Sequence, residues 1–300
     1  MRSLCAVLFL SLVLTAFTAD TVRAYHVRIA KAESLWVTDQ GEGIPVVLIP
    51  GLFGSAYGFR HVVPLLVESG YRAIVVEPLG IGFSARPDRA DYSLTAQADR
   101  MGVVLDRLDA RGAVLVAHST GASMAYRLAY RRPDLVSGLV SLDGGPAETA
   151  TTASFRRAAR FIPWIKWFGG IRLIKRKIKS ALIESSGDTT WITDEVVRGY
   201  TAGAAANLDG TLKAYLGMAR AREPERLQPH LGEIRCSVLL LLGGAVHDTG
   251  PGPEEVALLR GAIAAFALDT VAGAGHYIHE ENPRAVLEAV RKVAPPLSTP

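Results

Sequence analysis

Cysteine is almost missing from this 300-residue chain, with only Cys5 and Cys236 present. Cys5 falls inside an N-terminal apolar run, so Cys236 stands alone behind it and no intramolecular disulfide can form there. Excess charge is also lacking: 33 Lys and Arg against 29 Asp and Glu leave a formal net charge of +4. That is too little to hold a polyanion, and no nucleic-acid-binding motif accompanies it, which excludes a nucleic-acid partner. No metal-ligand cluster, internal repeat or low-complexity tract is found. The apolar run Leu4 to Phe17 carries no charge but falls short of the roughly 20 residues of a membrane span. With Arg2 ahead of it and small-residue sites at Ala19 and at Val22-Arg23-Ala24, it reads as an export signal over residues 1–24. A periplasmic or extracellular protein is expected, membrane-anchored where the signal is left uncut.

Hydrophobic residues make up 49% and charged residues 21%, ordinary usage for a globular chain. Short apolar runs predict strands at Tyr25–Lys31, Leu35–Thr38, Val46–Ile49, Ala73–Glu77, Ala113–Ala117, Gly138–Leu142, Val238–Leu242 and Ala267–Val271. Several are unbroken β-branched or Leu-rich stretches, the pattern of strands buried on both faces. Helical stretches alternate with them at Gly58–Glu68, Leu94–Ala110, Gly121–Tyr130, Pro253–Ala265 and Pro283–Val293. Such alternation predicts an α/β fold, a mainly parallel eight-stranded sheet flanked by helices. It breaks once, over residues 146–234, where no strand signal occurs and three of the four tryptophans lie. Residues 25–145 and 235–300 are expected to form the core, with 146–234 a helical insertion after the sixth strand.

Ser119 sits where a predicted strand runs into a helix, in Ala117-His118-Ser119-Thr120-Gly121. A serine on such a turn exposes its hydroxyl and lies beside the helix N-terminal amides. Its plain alternative is a helix N-cap. Ser123 is a weaker rival inside the helix. His276 follows a Gly-rich turn after the last strand. Asp248, after the Val238–Leu242 strand, is the first choice for a carboxylate that fixes the imidazole tautomer. Asp143, ending the sixth strand, is the alternative acid. The Gly-rich Pro50-Gly51-Leu52-Phe53-Gly54 offers the Leu52 N–H, which with the Thr120 N–H forms a candidate oxyanion hole.

Together these pieces resemble the α/β-hydrolase superfamily over about residues 33–145 and 235–293. The order Ser119, Asp248, His276 is similar to that family's nucleophile, acid and base. The segment from Glu77 to Pro87 resembles its Asp-x-x-Gly-x-Gly-x-Ser loop. Three positions depart: Pro50 replaces the usual His before the oxyanion loop, Ala117 replaces the first elbow glycine, and the acid loop is one residue longer than the commonest spacing. The resemblance implies a serine hydrolase. Serine at the elbow argues against epoxide opening and halide displacement, which use aspartate there. Cleavage of a carboxylic ester through an acyl-enzyme is expected, with acyl transfer, carbon–carbon hydrolysis and a non-catalytic binding scaffold as alternatives. No cofactor is required.

The insertion resembles the family's cap. Its Phe155, Phe161, Trp164, Trp167, Phe168 and Trp191 suit a small-molecule ester with an apolar group, or simply form the cap's own core. Nine basic residues from Arg156 to Lys179 run without an intervening acid. They form either a solvated face or a peripheral contact with an anionic membrane.

Overall fold

The computed structural model describes residues 21–165 and 169–296. Most of the expected export signal, with Ala19, and the insertion's Lys166, Trp167 and Phe168 lie outside the described residues. Ala24, the other expected cleavage position, pairs with Thr38 at the start of the first strand.

Eight strands form one sheet: β1 (Arg23–Ala30), β2 (Glu33–Gln40), β3 (Ile44–Ile49), β4 (Tyr71–Val76), β5 (Ala113–His118), β6 (Val136–Leu142), β7 (Ser237–Gly243) and β8 (Phe266–Val271). Their order is β1-β2-β4-β3-β5-β6-β7-β8. The pairs β1–β2 and β2–β4 are antiparallel and the rest parallel. The unbroken apolar runs have a direct cause. Val47 and Ile49 of β3, with Leu115 and Ala117 of β5, enter one apolar cluster. Val46, Leu48, Val114 and Val116 enter the cluster on the opposite face. A period of two with both faces covered leaves no position for a polar side chain.

The helices α1 (Val62–Glu68), α2 (Leu94–Arg107) and α3 (Thr120–Arg131) follow β3, β4 and β5. Six more, α4 (Ala153–Ala159), α5 (Ile162–Ile165), α6 (Gly170–Glu184), α7 (Asp194–Tyr200), α8 (Ala202–Ala206) and α9 (Leu208–Arg220), lie between β6 and β7. After β7 comes α10 (Pro253–Ala262), and after β8 come α11 (Ile278–Glu281) and α12 (Pro283–Val293). On α12, Val286, Leu287, Ala289, Val290 and Val293 are buried in the second cluster. Full burial of each Leu or Val is worth about 1.5–3 kcal/mol. The helix lies so close to β6 that a Cβ at Gly138 would stand 2.7 Å from the Val293 carbonyl oxygen.

The insertion does not leave the core cleanly at residue 235. Leu227, Leu231 and Ile234 already sit in the main apolar cluster. Both ends of the insertion are fastened to α3 by the buried Arg127. Its guanidinium donates to the Ser123 and Ala147 carbonyls and pairs with Glu148 and Glu223 at 3.4 and 3.7 Å.

Candidate active site

The sheet order decides where a site can form. From β3 the chain crosses to β4 on one side and later returns to β5 on the other, so loops leaving the C-terminal ends of β3 and β5 diverge and open a crevice. Ile49 pairs with Ala117, which brings Pro50–Gly54 beside Ser119. The approach is tight: a Cβ at Gly51 would stand 3.1 Å from the Ser119 Cβ, and one at Gly121 2.7 Å from the Ile49 carbonyl oxygen. Ser119 itself has φ 53° and ψ −124°. That backbone is strained for a side chain larger than glycine and costs on the order of 1–3 kcal/mol. It is held by the Ser119 N–H donating to the Leu142 carbonyl at 3.0 Å and by the Ala122 N–H donating to the Ser119 carbonyl at 3.0 Å. Ser119 makes no side-chain cap bond to its helix. Its N-cap alternative is therefore not realised, and the hydroxyl is left to a cleft of about 540 Å³.

Ser119, Thr120, Leu52, His276 and Asp248 all line that cleft. The N–H groups of Leu52 and Thr120 have no hydrogen-bond acceptor among the described residues. Ser123, by contrast, donates to the Gly145 carbonyl at 2.7 Å and accepts from the Ala147 N–H at 3.0 Å, so its hydroxyl is committed to the start of the insertion.

The partner of His276 differs from the first expectation. Its Nδ1 lies 2.6 Å from Oδ2 of Asp143, with both side chains buried. Asp248 is exposed and has no hydrogen-bond or ion-pair partner among the described residues. The reason lies in the register. Leu142 pairs with Leu241, and the Asp143 N–H continues the ladder to the Leu241 carbonyl at 2.8 Å. This leans the Asp143 side chain over the end of β7, where the Gly243 N–H donates to Oδ1 at 3.2 Å. The imidazole then reaches Asp143 before the next loop can offer Asp248. A second imidazole, absent from the sequence-based set, completes the group: His247 Nε2 is 2.8 Å from the same Oδ2. Its signal in the sequence is its place just before Asp248, one residue nearer the β7 glycine.

Asp143, His247 and His276 offer a carboxylate and two ring nitrogens within 4.8 Å of one another. Ligands of one tetrahedral ion with bonds of about 2.1 Å stand about 3.4 Å apart. The contacts of 2.6 and 2.8 Å are those of hydrogen-bonded partners.

Other groups hold the site in shape. The His276 N–H donates to the Ser185 carbonyl at 2.7 Å, tying the histidine loop to the end of α6. Glu281 accepts from the N–H groups of Gly275, Gly187 and Asp188 at 2.8 to 3.0 Å, a second tie between that loop and the insertion. His118 Nε2 donates to the His276 carbonyl at 3.0 Å. Complete burial and the neighbouring histidines hold His118 well below the usual imidazole range, so it is neutral with its proton on Nε2. His279 is likewise pushed down, to about 3, by burial. Glu77 clamps two loops, accepting from the Ala56 N–H at 2.7 Å and the Phe83 N–H at 2.5 Å. Burial pushes its carboxyl up to about 7 against the pull of those two donors.

The aromatics of the insertion divide. Phe155 lines the cleft and packs on Phe53 and Tyr215 at 5.7 and 6.2 Å between ring centroids. Trp191 joins Tyr200 and Tyr277 in a small core of its own. Phe161 and Trp164 are 57% and 58% exposed.

Residues 44–171 match the family model described as alpha/beta hydrolase fold. The chain is 28% identical over 252 residues to the sn-1-specific diacylglycerol lipase ABHD11 of Mus musculus, a match spanning 82% of this chain and 79% of that protein. Among solved structures it is similar to wild-type Cfl2 from Burkholderia cenocepacia, with a TM-score of 0.75 and 24% identity over 90% of this chain and 95% of that one. The chain belongs to the α/β-hydrolase superfamily. As an α/β-hydrolase it is an enzyme, and its fold also matches a thermophilic esterase from Thermogutta terrifontis, with a TM-score of 0.72 and 22% identity over 91% of this chain and all of that one. The strand-to-helix turn at Ser119 resembles the nucleophile elbow of this superfamily.

Proposed function

We propose that this α/β-hydrolase cleaves carboxylic esters through an acyl-enzyme on Ser119, with His276 as base and Asp143 as acid. The observation that carries the reading is the buried 2.6 Å bond from His276 to Asp143, in a cleft that His276 shares with a serine in strained backbone. The Nδ1–H donated to Asp143 leaves Nε2 free to take the Ser119 proton as Oγ attacks the carbonyl carbon. Charge that builds on the carbonyl oxygen meets the unpaired N–H groups of Leu52 and Thr120. His276 then protonates the leaving alkoxide, and a water activated by the same nitrogen releases the acid. No step calls for a cofactor.

The apolar side of the cleft, with Phe53, Phe155, Ala158 and Ala181, supports a substrate with an apolar acyl or alcohol group. The lipase and esterase names of the similar proteins support the same class. A fluorophosphonate probe tests the reading: it labels the folded enzyme and not Ser119→Ala. Labelling that survives in Ser119→Ala, or absent hydrolysis across p-nitrophenyl esters of short and long chain, would count against it.

Exposed Phe161 and Trp164 beside Arg157 and Arg160 support docking of the insertion on an anionic membrane surface. Two of the basic residues are engaged elsewhere, Arg156 on Thr149 and Thr151 and Lys179 on Asp194. Stronger recovery with anionic than with neutral liposomes at low salt is expected, and equal recovery refutes the electrostatic part. The charge-free run at Leu4 to Phe17 supports export, which fractionation and N-terminal sequencing of the mature protein check.

A further inference from the structure

We propose that His247 is a cationic positioning residue that shares the Asp143 carboxylate with His276, an inference that rests on the Ser119–His276–Asp143 reading above. The protons fix its state. His247 Nδ1 lies 2.7 Å from the Ala245 carbonyl oxygen, which has no proton to give, so Nδ1 donates. Nε2 lies 2.8 Å from Asp143 Oδ2, the atom that also accepts from His276 Nδ1 at 2.6 Å. With Asp143 ionised, every partner of His247 is an acceptor, and both ring nitrogens carry protons. Moving one proton to Oδ2 keeps the net charge, and the hydroxyl oxygen can donate to His247 while accepting from His276, but Asp143 then becomes a neutral acid and a weaker acceptor for His276 and for the Gly243 N–H on Oδ1. The imidazolium form keeps all of these contacts charge-assisted.

The groups around the ring favour the cation. Asp143 faces it from the end of β6 and His276 from the loop after β8. Glu281 adds a second carboxylate from α11. Asp188 belongs to the segment of the insertion whose Gly187 packs on Ala245, and Asp248 adjoins His247 in the chain. Burial works against the charge, but the bonds to Asp143 and to the Ala245 carbonyl outweigh it and move the titration of His247 upward.

The consequence for the reaction is specific. His247 holds Oδ2 in line with His276 and offsets part of the carboxylate's charge. When His276 has taken the Ser119 proton, two imidazolium rings share one carboxylate at 6.1 Å between centroids, which favours passing that proton on to the leaving group. His247 keeps both of its own protons throughout. Removing its charge favours the protonated form of residue 276, so the acidic limb of the kcat/KM profile moves to higher pH.

The test uses the full-length enzyme, a p-nitrophenyl ester and the variants His247→Gln, which keeps a donor without the charge, and His247→Ala. In both the acidic limb moves up by about one pH unit relative to wild type, and His247→Ala also has the lower plateau. ¹⁵N NMR of the wild-type ring, which needs no variant to fold, finds both nitrogens protonated and a titration midpoint above that of free histidine. Overlaid limbs in wild type and His247→Gln, or a singly protonated ring at neutral pH, would overturn the proposal. Fluorophosphonate labelling run beside these measurements separates the two failures. Label lost in Ser119→Ala with unmoved limbs refutes only His247, whereas label retained in Ser119→Ala refutes the underlying triad.

Discussion

Replacing Asp143 by Asn removes one charge and almost no volume, so its effect reports the hydrogen bonds directly. In the native site Oδ2 accepts from both imidazoles and Oδ1 from the Gly243 N–H. An amide has one oxygen to offer. Placed at Oδ2, it leaves the NH₂ facing the Gly243 N–H, donor against donor. Placed at Oδ1, it turns the NH₂ toward two imidazole donors and drives His276 to the tautomer whose Nε2 is already protonated and cannot take the serine proton. Both orientations also lose the carboxylate that stabilises the imidazolium. Loss of the acid in such triads costs about 10³–10⁴-fold in turnover, or about 4–5.5 kcal/mol of transition-state stabilisation. Asp248→Asn, at an exposed side chain with no partner among the described residues, changes kcat/KM by less than about threefold. Both variants are assayed on a p-nitrophenyl ester, with circular dichroism to verify folding. The reasoning is refuted if folded Asp143→Asn keeps more than about a tenth of the wild-type rate while Asp248→Asn loses more than about a hundredfold.

Arg127→Met leaves Glu148 and Glu223 without their buried cation and unfastens both ends of the insertion; a loss of about 3–5 kcal/mol in urea unfolding is expected, with early proteolysis between residues 146 and 227. Glu77, with a folded value raised from 4.5 to about 7, binds its proton more tightly in the native state. Its contribution is fully present below pH 4.5 and fades as pH rises through 7, by about 3 kcal/mol. Wild type therefore loses stability relative to Glu77→Gln across that window, and denaturation curves whose difference does not change with pH would refute this.

The eight strands were legible as short apolar or alternating runs, those of β3 to β7 packed on both faces, a property local to the residues themselves. The strand-to-helix turn that carries Ser119 was legible for a similar reason: strand, small residues and helix are contiguous in the chain. The choice between Asp143 and Asp248 was not. It depends on β6 and β7 being neighbours in register and on where the loop after β7 turns, and neither is written in either segment alone. His247 was hidden by the same non-local geometry. The boundary of the insertion was blurred because Leu227 and Leu231 lie in a stretch without strand periodicity, yet pack into the core through a 3₁₀ turn at Gln228–Glu233. Phe161 and Trp191 look alike as aromatics, and only tertiary packing exposes the first and half-buries the second.

An acid at the end of β6 and one in the loop after β7 can serve the same histidine because the two strand ends are hydrogen-bonded to each other. Asp143 uses its own backbone N–H and its Oδ1 to grip β7 at Leu241 and Gly243, which leaves Oδ2 over the space that the next loop encloses. That loop then closes on the carboxylate. Gly250 has φ +98°, and a Cβ there would stand 2.5 Å from Oδ2, so a bulkier residue would push the acid off His276. Residue 247 lies on the enclosing loop, on the same oxygen as His276. A carboxylate at that position would bring a second negative charge beside Asp143 and raise the cost of ionising both. An imidazolium there instead compensates the buried charge while leaving a hydrogen bond for the base. In the proposed reading Asp143 occupies the centre, and His247, on the loop after β7, donates to the same oxygen as His276.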